Sequence, residues 1–274
     1  MEIQAALQSI HLSSPDPRQL ARFYSSTYDM TMEPAGSTYL CHAPGRQLAF
    51  SAGPANQLIY AQFAFHSGTA WDAFSARVRE STQQALPSGF EAGSAISVRD
   101  PDGNQMVFCA PAGSTLPVPA GVSPAALQHF ALRTPHMDAM LDFYTGQLGF
   151  VLSDAVRNAE GELRACFLRS DSLHHVLALF FAPESCFDHQ SFEAPDWSSM
   201  KSWGDHMASL QVPIVWGIGR HGPGNDVFFM VRDPDGNLAE ISSEIEHCEP
   251  GRPAGLWPHE ERTLNLWGKA ILRS

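Results

Sequence analysis

The side chains of this sequence that could carry chemistry are a set of imidazoles and one strand carboxylate, all in its second half. His129 lies in Gln128-His129-Phe130, His174-His175 precedes Val-Leu-Ala-Leu, and His189 follows Phe187-Asp188. His221 sits in Gly219-Arg220-His221-Gly222-Pro223-Gly224-Asn225, and Glu240 stands four residues after Gly236 within an apolar run. Neutral imidazole is the commonest metal ligand among side chains, and with a pKa near ~6.5 it can also take and return protons at neutral pH. A carboxylate inside an apolar hairpin is costly unless it is paired or coordinates a cation. Only His11, His42 and His66 of the twelve histidines precede residue 120, and the other nine run from His129 to His259. Each residue has a plain alternative: a hydrogen-bonded core histidine, an exposed hairpin carboxylate, a strand-end HisHis cluster, a tight glycine-rich surface turn.

The elements that must position these groups come in two copies. Val98-Arg99-Asp100-Pro101-Asp102-Gly103-Asn104 recurs as Val231-Arg232-Asp233-Pro234-Asp235-Gly236-Asn237, 133 positions later. Pro-Asp-Gly between apolar runs is a hairpin signal, because proline presets φ and glycine tolerates φ > 0. Leu7-Gln8 and Phe23-Tyr24 match Leu127-Gln128 and Phe143-Tyr144 at an offset of 120, so the second half carries insertions. Each half reads as strand, helix and strands, twice over. In the second half Leu127–Arg133 is a strand, followed by a helix opened by Pro135, with Met137, Met140, Leu141, Tyr144 and Leu148 as its apolar stripe. Gly146 and Gly149 mark its end. Strands follow at Ala165–Leu168 and Val176–Phe181, then a strand from Phe187 to Glu193 and a helix carrying Met200, Trp203, Met207 and Leu210. Val227–Val231 and Leu238–Ser242 close the domain, and the first half is a compact version with a strand at Gln62–Phe65 and a helix at Trp71–Arg79. Strand alternation places Leu127, His129, Ala131 and Arg133 on one face, as it does Leu238, Glu240 and Ser242.

Composition narrows the function classes. Seventeen Lys and Arg against 29 Asp and Glu leave a formal charge of −12, the wrong sign for a nucleic-acid backbone or an anionic membrane surface. No stretch approaches the ~18 apolar residues of a membrane span. The N-terminus is neither basic nor followed by an apolar signal core, so a cytoplasmic protein is expected. Five cysteines without CxxC spacing argue against a disulfide framework or a thiolate zinc site.

Paired βαβββ modules closed by RDPDGN hairpins, with His129, His175, His189, the His221 loop and Glu240 in that order, resemble a known family. They are similar to the two-domain type I extradiol ring-cleavage dioxygenases of the vicinal oxygen chelate (glyoxalase/bleomycin resistance/dioxygenase) superfamily. The resemblance implies an α+β fold of four βαβββ modules paired into two domains, each a curved mixed sheet around a concave cavity. It divides the chain into a domain without metal ligands at 1–115, a linker at 116–126, a catalytic metal-binding domain at 127–248, and a tail at 249–274 that could cover the pocket. It implies His129, His189 and Glu240 as metal ligands, with Fe(II), or alternatively Mn(II), as the ion. Two imidazoles and a carboxylate on one face are the facial triad of non-haem iron oxygenases. It further implies His175 as the acid–base group and His221 as a hydrogen-bond donor to the substrate, in a loop ordered by Asn225. Met230 stands where these enzymes usually carry a tyrosine donor, and a thioether cannot donate.

Aligned by the same offsets, His129 corresponds to Ser9, Glu240 to Val107, and His189 falls near Gln62, so one metal site per chain is expected. The leading reading is an Fe(II)-dependent dioxygenase that opens a catechol-type ring with dioxygen, in a pocket lined by residues such as Leu177, Leu179 and Phe180. Homo-oligomerisation is expected, with neither nucleic-acid nor membrane partners. Two alternatives stand beside it: another metal-dependent reaction on the same scaffold, such as an isomerisation, hydrolysis or non-catechol ring cleavage, and a non-catalytic binding protein for an aromatic compound. His174 is expected to face away from His175.

Overall fold

The computed structural model describes residues 2–78, 83–111 and 124–272. The expected linker therefore lies outside the described residues except for 124–126, and Ala126 already opens a strand. The first unit is β1 (Ala5–Ser14), α1 (Pro17–Thr27), β2 (Thr31–Ala35), β3 (Thr38–Ala43) and β4 (Arg46–Ala52). The second is β5 (Gln57–Phe65), α2 (Gly68–Val78), β6 (Ala95–Arg99) and β7 (Gln105–Cys109), with two strands after its helix among the described residues. The third is β8 (Ala126–Thr134), α3 (Met137–Asp142), β9 (Val151–Arg157), β10 (Leu163–Arg169) and β11 (Leu177–Phe181). The fourth is β12 (Cys186–Glu193), α4 (Trp197–Ser209), β13 (Ile214–Arg220), β14 (Val227–Arg232) and β15 (Leu238–Ser243). In the tail β16 (Gly255–Pro258) and α5 (Glu261–Leu264) follow.

Local chemistry explains these boundaries. The Asp16 carboxylate accepts from the Gln19 N–H at the start of α1, with Pro17 in the first turn, and Asp196 caps Ser199 N at the start of α4. After α3 the chain widens into a π-helical turn over Phe143–Leu148, so Gly146 lies inside the helical segment, and Gly149 at φ 86° ends it. Along α4, Met200, Trp203 and Met207 are buried, whereas Leu210 follows the helix and is exposed. Strand β9 was not foreseen in the sequence. Its residues Ser153–Val156 are all buried, so it carries no polar–apolar alternation.

The strands form two mixed, curved sheets in an α+β fold, one ordered β2-β3-β4-β1-β5-β7-β6 and one ordered β13-β14-β15-β12-β8-β11-β10-β9-β16. Both are built alike. The opening strands of the two units pair antiparallel at the centre (β1 with β5, β8 with β12), and each is flanked by its own unit's last strand in parallel. Strand β16 adds the tail to the edge of the second sheet, parallel to β9. One buried apolar cluster runs through both halves, where Tyr28 packs on Phe192 at 4.9 Å and Phe63 on Phe130 and Phe150. A smaller cluster, including Ala131, Phe167, Phe180, Trp216 and Met230, covers the other face of the second sheet. No helix among the described residues is long and apolar enough to cross a membrane.

The repeated hairpins join the halves. Asp100 Oδ1 accepts from the N–H groups of Asp102 and Asn104, and Asp233 Oδ1 from those of Asp235 and Asn237. The second oxygen of each aspartate is taken by a tyrosine from the opposite half: Tyr24 Oη donates to Asp233 at 3.0 Å, and Tyr144 Oη to Asp100 at 3.0 Å. Burial pushes both aspartates up to about 6, against the pull of these hydrogen bonds. Removing one donor from a buried acceptor costs about 1–3 kcal/mol. Tyr24→Phe and Tyr144→Phe should each lower unfolding free energy by about that amount in urea titrations. A change below about 0.5 kcal/mol in both, the range of ordinary surface substitutions, would show that the clasps contribute nothing.

Candidate metal centre

Three neighbouring strands carry the central residues. In the register of β8, β12 and β15, His129 lies opposite Ser191 and Ser191 opposite Glu240. His189 is two residues from Ser191 and so shares its face. The Nε2 atoms of His129 and His189 are 3.2 Å apart, and these two with a Glu240 oxygen lie within 4.8 Å of one another. All three residues are buried.

The surrounding hydrogen bonds set their protonation. His129 Nδ1 faces Gln128 Oε1, and His189 Nδ1 lies 2.6 Å from Asp188 Oδ1, whose other oxygen accepts from Arg133 Nε at 2.6 Å. Each imidazole therefore donates through Nδ1 and turns a lone pair inward through Nε2, the arrangement that outer partners impose on metal-bound histidines. Ser191 Oγ donates to Glu240 Oε1 at 2.9 Å, while Glu240 Oε2 has no hydrogen-bond partner among the described residues. Burial pushes His129 down to about 3, so its ring is neutral. Burial alone would raise Glu240, but His221, His129 and His189 outweigh it and hold the carboxyl at about 2. Two inward lone pairs and an orphaned, ionised oxygen repel one another unless a cation sits among them. This donor set fits a divalent metal.

A second ring of groups surrounds the triad. The His175 ring lies 4.4 Å from that of His129, and burial together with the neighbouring histidines holds it neutral, well below the usual imidazole value. His221 stacks on Phe228 at 3.7 Å, donates from Nδ1 to Leu264 O, and places Nε2 3.7 Å from Glu240 Oε2. Asn225, at φ 56°, is exposed and accepts from Arg220 Nε at 3.0 Å, which ties the loop rather than touching the centre. Met230 pairs with Glu240 across β14 and β15 and lines the cavity.

That cavity has Phe167, Ala178, Phe180, Trp216, Pro223 and Leu264 in its walls and the four histidines 129, 175, 189 and 221 at its polar side. Of the expected wall residues Phe180 is present, but Leu177 and Leu179 point to the large core and Ala178 takes their place. Leu127 likewise leaves the face of His129, because a bulge shifts the β8–β12 register after Ser191. His174 and His175 precede β11 in a bend, so strand alternation does not separate them: both are buried, with their Nδ1 atoms 3.0 Å apart.

In the first half the same row reads Ser9–Gln62–Val107, and His189 corresponds to Tyr60 rather than Gln62. Ser9 Oγ donates to Gln62 Oε1 there at 2.9 Å. Sequence reasoning missed Gln128, Asp188, Ser191 and Asp226. The first two stand immediately before the ligand histidines, a signal the pairs Gln-His and Asp-His did offer. Asp226 is fully buried, with no hydrogen-bond partner for either oxygen among the described residues, and burial pushes it up to about 7.

Paired modules on two mixed sheets, with a two-histidine, one-carboxylate cluster inside one of them, define a metal-centre protein of the glyoxalase type of fold. Residues 126–241 match the Glyoxalase/Bleomycin resistance protein/Dioxygenase superfamily. Among curated proteins, Metapyrocatechase 2 of Cupriavidus necator is 34% identical over 152 residues, which is 55% of this chain and 46% of that protein. The chain therefore matches less than half the length of this relative. Among solved structures, the Mn(II)-bound glyoxalase of Novosphingobium aromaticivorans superposes with a TM-score of 0.81 at 21% identity, covering 97% of this chain and 91% of that one. Homoprotocatechuate 2,3-dioxygenase of Arthrobacter globiformis superposes with a TM-score of 0.81 at 21% identity, covering 97% and 88%. The resemblance to extradiol dioxygenases thus extends from the ordered residues to the fold.

Glu240→Gln keeps the shape of the site and removes its charge. Bound divalent metal, measured by emission spectroscopy after Fe(II) or Mn(II) loading, should fall from stoichiometric to trace, as it should for His129→Ala. Circular dichroism should stay unchanged. Full metal occupancy in both variants would place the ion elsewhere.

Proposed function

We propose that this protein is an Fe(II)-dependent extradiol dioxygenase that opens the ring of a catechol-type aromatic compound with dioxygen, with Mn(II) as the alternative ion. The observation that carries the reading is the neutral His175 ring beside a two-histidine, one-carboxylate set at the polar side of an enclosed apolar cavity. His129, His189 and Glu240 would hold the metal, which would supply Lewis-acid binding of substrate oxygens and the redox chemistry of dioxygen. The name of the Cupriavidus necator relative supports the same chemistry.

The protein's own groups fit this task. The triad contributes a single negative charge, so a divalent ion within it keeps one positive charge, which a monoanionic catecholate would neutralise. Phe167, Phe180 and Trp216 offer flat apolar surface for one aromatic ring and keep water out. The cavity is small and lined mostly by apolar side chains, which suits a monocyclic substrate. His175, held neutral by burial, can accept a catechol hydroxyl proton and later return it to oxygen, a role that contributes roughly 10²–10⁴-fold. His221 presents Nε2 beside Glu240, where a bound substrate oxygen would meet it, and its loop keeps that ring stacked on Phe228. Met230 in the wall favours a second reading, a metal-dependent reaction of a different kind on the same scaffold.

Anaerobic reconstitution with Fe(II), followed by oxygen-electrode assays across substituted catechols, should show oxygen uptake equal to catechol loss. Turnover under strict anaerobiosis would establish the second reading instead. His175→Phe should retain the metal and lose about 10²–10⁴ in kcat. Full activity in that variant would remove His175 from the chemistry.

A further inference from the structure

We infer that Ser191 and Ser242 are positioning residues that keep one oxygen of Glu240 for the protein, so that the carboxylate offers a divalent ion its other oxygen alone. This rests on the metal centre and the ring-cleavage reading proposed above. Ser191 lies opposite Glu240 in the parallel pairing of β12 with β15, and Ser242 is two residues beyond Glu240 on the same face. Neighbouring strands stand about 4.8 Å apart, so a side chain as short as serine reaches the carboxylate beside it. Ser191 Oγ is 2.9 Å from Glu240 Oε1 and 2.9 Å from Ser242 Oγ, and all three residues are fully buried.

Proton supply orders the two hydroxyls. A hydroxyl has one proton to give. Ser191 gives its proton to the carboxylate oxygen, so the bond between the serines runs from Ser242 to Ser191. Oε1 is thus met by a donor that is itself held from behind. Oε2 has no hydrogen-bond partner among the described residues, with His221 Nε2 at 3.7 Å.

An octahedral ion held by two imidazole nitrogens and one oxygen keeps three positions. A second Glu240 oxygen would take one of them, leaving room for the two oxygens of a catechol and none for dioxygen. Drawing Oε1 onto the ion would cost the Ser191 bond, which is of the stronger kind because its acceptor is charged.

The first half shows the same row without a carboxylate. Val107 stands for Glu240, Gln62 for Ser191 and Cys109 for Ser242. Gln62 Oε1 accepts from Ser9 Oγ at 2.9 Å, and Gln62 Nε2 lies 3.6 Å from Cys109 Sγ. Those polar groups close on one another beside an apolar valine, whereas in the second half the hydroxyls run onto the carboxylate. The row folds without paired serines, so the pair at 191 and 242 goes with the charge.

The test is the denticity of the carboxylate, read by infrared difference spectroscopy between protein saturated with Mn(II) and metal-free protein, with carbon-13 glutamate to assign the bands. The gap between antisymmetric and symmetric stretches is wider for a carboxylate bound through one oxygen than for one bound through both. The native protein should show the wide gap and Ser191→Ala the narrow one, while Ser191→Thr, which keeps the hydroxyl, should show the wide gap again. Ser191→Cys, with a weak donor in similar volume, should also narrow it, and replaces the alanine variant if that fails to fold. In the Fe(II) enzyme, kcat of Ser191→Ala should fall about 10–100-fold, the usual effect of losing an outer partner, with the KM for catechol nearly unchanged. A narrow gap in the native protein overturns the inference, and so does a wide gap in whichever of Ser191→Ala and Ser191→Cys folds, whatever its activity. A difference spectrum without glutamate bands removes Glu240 from the ligand set and the inference with it. The expected gaps in a protein that consumes no oxygen with any catechol would sink the ring-cleavage reading and leave the role of the serines standing.

Discussion

The structure depends on a reciprocal pair of hydrogen bonds, Tyr24 to Asp233 and Tyr144 to Asp100. Each aspartate has two tasks: one oxygen closes its own hairpin, and the other receives a phenol from the opposite half. The two bonds are related by the internal duplication, because Tyr144 repeats Tyr24 and Asp233 repeats Asp100. Both lie in the continuous apolar layer that the halves share, where an unmet acceptor is expensive. The halves are thus held by groups that each belong to the turn chemistry of one and the helix of the other. His206, which reaches Ser26 O at 3.0 Å, and His136, paired with Asp102 at 2.7 Å, add contacts across the same junction. That use accounts for part of the histidine excess in the second half without invoking chemistry.

With the frame held in this way, the two sheets can diverge on their other faces. The row His129–Ser191–Glu240 becomes Ser9–Gln62–Val107, and Tyr60 stands in place of His189. In the first half these side chains satisfy each other: Ser9 bonds Gln62, and His11 bonds Ser51 at 2.8 Å. In the second half Ser191 bonds one Glu240 oxygen, but Oε2 is buried and has no hydrogen-bond partner among the described residues. An unsatisfied carboxylate tolerated in one copy and replaced by valine in the other marks where function, rather than folding, sets the residue.

Much of this was legible in the residue order because strand geometry is local. Alternation placed His129 with Ala131 and Glu240 with Leu238, and both pairs face the cavity side. The same rule failed for Leu127, where a bulge intervenes, and for His174, which lies in a bend before β11. Neither event has a local signature. The match of His189 to Gln62 missed by two positions, because the insertion between the halves can be located only by strand register. Tyr60 pairs with His11 as His189 pairs with Ala131. The clasping roles of Tyr24 and Asp233, 209 residues apart, were visible only as unexplained repetition.

The tail changes most in meaning between sequence and structure. It reads as loop, yet it adds β16 to the sheet, supplies Leu264 to the cavity wall, and offers Leu264 O to His221. Through Trp257, Gly255 and Arg252 it also grips Asp154. His221 therefore receives its orientation from a residue beyond 250. This matters because Met230 removes the hydrogen-bond donor that a tyrosine would provide. Within the cavity the imidazoles outside the triad are His175 and His221, and the Nδ1 bond to Leu264 O keeps the His221 ring from turning. A site with few donors must have them aimed in advance, since reorienting a ring against substrate would add to the barrier that positioning is meant to lower. The tail thus compensates for a poorer set of side chains by fixing His221 more firmly.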